Sequence, residues 1–245
     1  MKFLARKNWN LLAEEDAFFA VLSIKKMKGK WEPEEFFETG RKEVKEDLER
    51  IKKLGIELNF DKALDFGCGA GRLTRALAES FQKVYGIDVS TKMIEKAKEY
   101  SQGEQHCFYL PESHLGEFPS ETFDFVYSKI ALQHIKPRDS LVYLKNFCRV
   151  TKPGGCLFFQ LRTKSKDAPF SWRLAIKGLF PQSWSEILHD MRILYSRKGI
   201  IDVYGIPLHD VVNLLEEHNF QIRDTYPNKV INNVVESYYY CAVKQ

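Results

Sequence analysis

The stretch "ALDFGCGAGRL", Ala63 to Leu73, decides how the rest of the chain is read. An apolar run ends in an acid, and three glycines follow at alternate positions, Gly67, Gly69 and Gly71. Glycine this dense beside an apolar strand marks a backbone that must come close to a ligand. The spacing is G-x-G-x-G, whereas the dinucleotide fingerprint is G-x-G-x-x-G. An acid, Asp65, also precedes the first glycine. Helix amides welcome a pyrophosphate, but a carboxylate beside them repels it. A cationic or zwitterionic ligand suits the loop better, and a nicotinamide dehydrogenase is set aside.

Working outward, the rhythm is that of alternating strands and helices. "KALDF" reads as a strand and "AGRLTRALAESF" as a helix with Leu73, Leu77 and Phe81 on one face. "KVYGID" is a second strand ending in Asp88, where an acid reads as an acceptor for ribose hydroxyls. Ser90 caps a helix that aligns Met93, Ala97 and Tyr100. "HCFYL", "TFDFVYS" and "CLFFQL" are further strands, with a helix opened by Pro137 before the last. Strands separated by helices imply parallel pairing, and their continuous apolar character implies a sheet covered on both faces. "QIRDTY" and "ESYYYCAVK" close the chain as an antiparallel pair joined by "PNKVINNVV". Upstream, "EEDAFFAVLSIKKM" and "RKEVKEDLERIKKLG" have helical periodicity, with Pro33 at the start of the second helix and Gly55 as its stop.

The chain has 245 residues and a formal net charge of +4, with 44% hydrophobic and 29% charged residues. This is globular composition without the concentrated basic face of a nucleic-acid binder. Cys68, Cys107, Cys148, Cys156 and Cys241 form no C-x-x-C pair, and His189, His209 and His218 lack metal-ligand spacing, so no metal is expected. The N-terminal stretch carries charges throughout, and no apolar run is long enough for a membrane span. A cytoplasmic location and no membrane partner are the expectation.

Four segments in order carry a family resemblance: "LDFGCGAGRLTRALA", "VYGIDVSTKMIEKAK", "FDFVYSKIALQHI" and "VTKPGGCLFF". Together they resemble the class I S-adenosylmethionine-dependent methyltransferases, best over Asp61 to Leu161. The resemblance implies an α/β fold, a Rossmann-like doubly wound, mostly parallel seven-stranded sheet with an antiparallel C-terminal edge strand. Residues 1–60 are expected as an N-terminal helical lid and 61–162 as the cofactor-binding core. Residues 163–206 are expected as a helical cap insertion, and 207–245 as a helix and two strands completing the sheet.

The same resemblance implies the cofactor, S-adenosyl-L-methionine, with S-adenosyl-L-homocysteine as product. Gly67, Cys68, Gly69 and Gly71 would lie against the methionine part and ribose, and Asp65 would face the amino group. Asp88 would take the ribose hydroxyls, while Val89 and Met93 lie on the adenine. Glu112 and Ser113 would sit by the adenine amino group, although "LPESHLGEF" departs from the family's wording there. Ser128 and Lys129 would pass beside the methionine chain, and Arg41 is a candidate for the cofactor carboxylate.

Methyl transfer is an in-line displacement in which alignment supplies most of the acceleration, and a base is needed only for a protonated acceptor. His134 is the candidate base, with Tyr127 and Gln133 behind it. "VYSKI" is not the N/D-P-P-Y/F of enzymes that methylate macromolecular nitrogens. Trp9 and Trp31 in the N-terminal part, and Phe170, Trp172, Phe180, Trp184 and Tyr195 in the insertion, offer aromatic walls for a small acceptor. The reading is therefore N- or O-methylation of a small molecule. RNA or protein methylation, and a non-catalytic binding module whose pocket is filled by side chains, are the alternatives.

Overall fold

The computed structural model describes residues 2–24, 27–163, 190–196, 198–231 and 234–245. Phe170, Trp172, Phe180, Trp184 and His189 of the insertion lie outside the described residues. The chain opens with α1 (Lys2–Val21) and α2 (Pro33–Lys53), followed by β1 (Lys62–Phe66) and α3 (Arg72–Ala78). Next come β2 (Lys83–Asp88), α4 (Thr91–Tyr100), β3 (Cys107–Pro111) and β4 (Phe123–Ser128). Then follow α5 (Pro137–Val150), β5 (Thr151–Arg162), a short helix at 190–195, α6 (Leu208–Glu217), β6 (Phe220–Ile231) and β7 (Val234–Lys244).

One sheet has the order β3-β2-β1-β4-β5-β7-β6. β1 to β5 pair in parallel. The antiparallel strand is β7, inserted between β5 and β6, so that β6 forms the edge. β6 and β7 run to Ile231 and from Val234, well into the stretch read from sequence as a connection. The β-branched residues there extend the ladder.

Alternation along the strands divides the core. Leu64, Phe66, Val126, Leu157 and Phe159 face α5 and α6, while Ala63, Phe125, Tyr127, Cys156 and Phe158 face α2 and α3. Pro33 and Pro137 occupy the first helical turns of α2 and α5, as expected. Ser90 Oγ accepts from Met93 N at 3.1 Å and caps α4. The sequence places one helix over residues 14–27, but α1 breaks at Asp16 (φ −167°, ψ 96°). Its carboxylate explains the break by accepting from Phe19 N at 3.0 Å and Gly29 N at 2.7 Å.

The order β3-β2-β1 then β4-β5 reverses direction between β1 and β4. Ligands of such sheets bind in the crevice outside the carboxyl ends of the strands, at this reversal. α1 closes the crevice from above. Asn10 Oδ1 accepts from Ser90 Oγ (2.7 Å) and Lys92 N (3.3 Å) at the start of α4. Asn8 exchanges two hydrogen bonds with the Ile200 backbone (2.7 and 2.8 Å), tying α1 to the segment after the short helix. No described helix is long and apolar enough to cross a membrane.

Candidate active site

The crevice holds a cavity of about 520 Å³. Its wall contains Gly67, Cys68, Gly69, Asp88, Val89, Met93, Glu112, Ser113 and Lys129, nine of the residues expected at the cofactor, together with His134. Trp9, Lys136, Asp190, Ile193, Ile200 and Tyr204 complete the side around His134.

The glycines are required by close approach. Gly67 and Gly69 have φ of +75° and +53°. A Cβ at Gly67 would lie 2.2 Å from Ala131 Cβ, and one at Gly69 2.5 Å from Val21 Cγ2. The loop is thus pressed against both α1 and the end of β4, and its open backbone faces the cavity. Gly67 N and Cys68 N donate to the Ile87 carbonyl (2.8 and 3.1 Å), which fixes the loop to β2. Gly71 is not on the cavity wall. It starts α3 at φ +85°, and a Cβ there would meet Tyr109 Oη at 2.6 Å.

Asp88 ends β2 on the cavity wall. Its Oδ2 accepts from Gly69 N (3.0 Å) and its Oδ1 from Ser90 N (2.8 Å). Each carboxylate oxygen keeps a second lone pair for a ligand hydroxyl. Burial pushes its pKa up to about 6, against those two amide bonds and with Glu112 adding to the rise. Glu112 is 5% exposed and accepts a hydrogen bond from Tyr143 Oη.

Asp65 is not on the wall. It is 1% exposed and accepts from Thr74 Oγ1 at 2.7 Å, behind the loop. Burial lifts its pKa to about 7, against the Thr74 bond and the nearby Arg72 charge. A carboxyl whose folded pKa lies above its unfolded value near 3.9 stabilises the fold below that value and loses the contribution as pH rises through about 7. Asp65→Asn keeps an acceptor for Thr74 and removes the titration. Its melting temperature is therefore expected to gain on wild type as pH rises from 4 to 7, with a plateau above. The full linkage is on the order of 4 kcal/mol. Thermal denaturation of both proteins across that range checks it, and a constant difference would refute it.

Three other expectations are corrected. Tyr127 is fully buried, because alternation turns it to the α2 and α3 face. Its ring lies 5.4 Å from Phe125 and 5.7 Å from Phe158, and its hydroxyl donates to Asp47. Ser128 is spent on the Phe66 carbonyl (3.0 Å), joining β4 to β1. Arg41 is clamped by Glu38 (2.7 Å) and Glu34 on α2, away from the main cavity. Gln133 is also off the wall, but its Nε2 lies 3.2 Å from His134 Nε2.

His134 has one defined tautomer. Nδ1 is 2.6 Å from the Asp202 carbonyl, which only accepts, so Nδ1 carries the proton. The lone pair is on Nε2, toward which the Gln133 amide donates. Burial lowers the His134 pKa, outweighing the Asp202 contact, and the ring is neutral at pH 7. Trp9 meets the ring edge-on, with centroids 5.3 Å apart at 68°.

Sequence reasoning missed a buried charge cluster beside the loop. Lys129 Nζ contacts Glu43 Oε1 and Asp47 Oδ2, both at 2.7 Å, and Arg72 contacts Glu43 Oε2 at 2.7 Å. Burial works against the Lys129 ammonium, but Glu43 and Asp47 raise its pKa on balance. Ile130 was also missed. This β-branched residue sits at φ +68°, a conformation that costs roughly 1–3 kcal/mol. Gln160 Oε1 holds it by accepting from Ile130 N at 2.9 Å. No sequence signal marks it.

A family model described as a methyltransferase domain matches residues 64–159. The chain is 31% identical over 172 residues to the ubiquinone biosynthesis O-methyltransferase of Coxiella burnetii, covering 64% of this chain and 72% of that one. The chain belongs to the class I S-adenosylmethionine-dependent methyltransferases. Phosphoethanolamine N-methyltransferase 3 of Arabidopsis thaliana is 34% identical to this methyltransferase over 111 residues, 44% of this chain but only 22% of the plant protein's length. Magnesium protoporphyrin IX methyltransferase of Synechocystis PCC 6803, solved with bound S-adenosylhomocysteine, shares the fold over the whole of both chains. Its TM-score is 0.64 at 18% identity.

S-adenosylmethionine is the cofactor of this family, and the methyltransferase cavity fits it. The wall offers a glycine-lined backbone, a carboxylate with free lone pairs at Asp88, and apolar Val89 and Met93. Arg72 also borders it, with its guanidinium turned to Thr39 and Glu43 of α2.

Proposed function

We propose that the protein transfers a methyl group from S-adenosylmethionine to a nitrogen or oxygen of a small-molecule acceptor. The observation that carries this reading is that Gly67, Gly69, Asp88 and His134 share the wall of one cavity. S-adenosylmethionine supplies the activated methyl group. Asp88 holds the ribose hydroxyls, and Val89, Met93, Glu112 and Ser113 surround the adenine. His134 Nε2 takes the proton of an acceptor N–H or O–H that displaces the Gln133 amide from its lone pair, while the Asp202 carbonyl fixes the ring. α1 shields this side from water through Trp9. All five cysteines are free thiols, which supports a cytoplasmic, reducing environment. The relatives named for a quinone-pathway oxygen and for phosphoethanolamine nitrogen give the acceptor classes to try first.

The test is thermal denaturation with S-adenosylmethionine, S-adenosylhomocysteine and NAD, followed by methyl transfer from labelled cofactor to phenolic and amine acceptors. A ligand at about 100 times its Kd stabilises by roughly 2.7 kcal/mol. Stabilisation by the two sulfur ligands alone, with label appearing in a small acceptor, is expected. No stabilisation by either would overturn the reading.

A further inference from the structure

Gln160, near the carboxyl end of β5, is a polar side chain only 3% exposed. It lies off the cavity wall, yet its amide is committed on both sides. Oε1 accepts from the Ile130 N–H at 2.9 Å, and Nε2 lies 3.5 Å from Gln133 Oε1, the long limit of a hydrogen bond. Ile130 stands just before the short 3₁₀ helix Leu132–His134 that carries Gln133 and His134. The His134 N–H donates back to the Ala131 carbonyl at 3.0 Å. Gln160 therefore touches the segment bearing the base at two points, one on the backbone and one on a side chain.

Each link has a single polarity. A backbone N–H only donates, so the Gln160 atom facing Ile130 is the oxygen and its amide nitrogen faces Gln133. A backbone carbonyl only accepts, so at Asp202 the His134 Nδ1 holds the proton and Nε2 the lone pair. Between these fixed ends the Gln133 amide has one satisfied orientation, with its oxygen to Gln160 and its nitrogen to His134 Nε2 at 3.2 Å. The reversed amide would set two donors together at Gln160 and two acceptors together at His134. An N–H donated to the lone pair favours the neutral ring. Burial also lowers the ring's pKa, Asp202 raises it and Arg162 lowers it. Lys136, on the same wall, pairs with Asp190 at 3.5 Å. A neutral replacement of Gln160 leaves all these charges in place.

We propose that Gln160 is a positioning residue for the base. By holding the Ile130 turn and the oxygen of the Gln133 amide, it keeps the Gln133 N–H on the His134 lone pair until an acceptor N–H or O–H takes its place. This rests on the reading of His134 as the base.

The test is magnetic resonance titration of the His134 side-chain nitrogens in wild type, Gln160→Met, Gln133→Met and the double variant, beside the pH profile of kcat/KM. Methionine is unbranched like glutamine and removes the hydrogen bonds. In wild type Nε2 is expected as the unprotonated nitrogen at neutral pH. Gln160→Met should raise the proton affinity of His134 about 2- to 10-fold, the weight of one neutral hydrogen bond, and Gln133→Met by as much or more. In the double variant the two effects should not add, because they act through one link. The acid limb of kcat/KM should move with the nitrogen titration, and the alkaline plateau should stay. A purely structural Gln160 predicts a lower melting temperature and an unchanged His134 titration. That result, additive effects, or a proton on Nε2 in neutral wild type overturns the proposal. If Gln160→Met does not fold, hydrogen exchange of the Gln160 side-chain amide decides. Slow exchange in wild type that becomes fast in Gln133→Met is expected, and equal rates overturn the proposal. Turnover that survives His134→Ala overturns the base reading itself, a separate failure, since the nitrogen titration is read without turnover.

Discussion

Asp88→Ala is expected to weaken S-adenosylhomocysteine binding by roughly 10²–10⁴-fold, the loss of two hydrogen bonds to a charged acceptor at about 1.5–3 kcal/mol each. The carboxylate sits on the cavity wall with both oxygens already oriented by backbone amides, from Gly69 and Ser90. Those amides set the group in advance, so that a ligand does not have to arrange it. The substitution also leaves the two amides without acceptors, and Gly69 belongs to the loop itself. Asp88→Asn separates the effects, because it keeps one oxygen acceptor and the side-chain shape while removing the charge. An intermediate affinity for Asp88→Asn with a near-normal melting temperature would assign the loss to the ligand contact. The pH dependence carries the same information. Burial lifts the wild-type carboxyl to about 6, and hydroxyl donors favour its charged form. Binding should therefore weaken below about pH 6 in wild type and stay flat in Asp88→Asn. Calorimetry from pH 5 to 8 reads both, and unchanged affinity in Asp88→Ala would remove Asp88 from the site.

What could be read from the sequence was whatever the chain keeps local. The glycine loop, Asp88 and Met93 lie within one continuous strand–helix–strand–helix stretch, β1 to α4, and their spacing fixes where they end up. The parallel pairing of β1 to β5 follows from the alternation of strands and helices. Tyr127 was misplaced although the pleat was legible, since Phe125 and Tyr127 must share a face and Phe125 had to be core. Arg41 was misassigned although Glu38 stands three residues before it, the spacing of an ion pair on one helix face. Arg72, Glu43 and Lys129 could not be joined from sequence. They come from α3, α2 and the end of β4, and meet only because Gly40 lets α2 lie against α3. The antiparallel insertion of β7 between β5 and β6 is a long-range pairing of the same kind.

The loop and the base come from different segments of the chain although they share one cavity wall, and substitutions should separate binding from chemistry. His134→Ala is expected to lower kcat by about 10²–10⁴-fold, the usual weight of a positioned general base, with cofactor affinity unchanged. The argument is geometric. The Asp202 carbonyl fixes the proton on Nδ1, so the lone pair is on Nε2, where an acceptor's N–H or O–H replaces the Gln133 amide, and burial favours the neutral ring. The acid limb of kcat/KM should fall below the ordinary histidine value near 6.5, since the folded pKa is lowered. Gln133→Ala leaves the ring and its Asp202 bond in place but removes the amide at 3.2 Å, so it should act more weakly and shift that limb without abolishing it. A structural role for His134 predicts something else: a lower melting temperature, poorer binding of S-adenosylhomocysteine and no change in the pH limb. A further arm uses the acceptor. One that is already deprotonated at pH 7 needs no base, so its rate should survive His134→Ala, while a phenol or ammonium acceptor slows by the full factor. Equal slowing of both kinds would show that His134 places the acceptor and moves no proton.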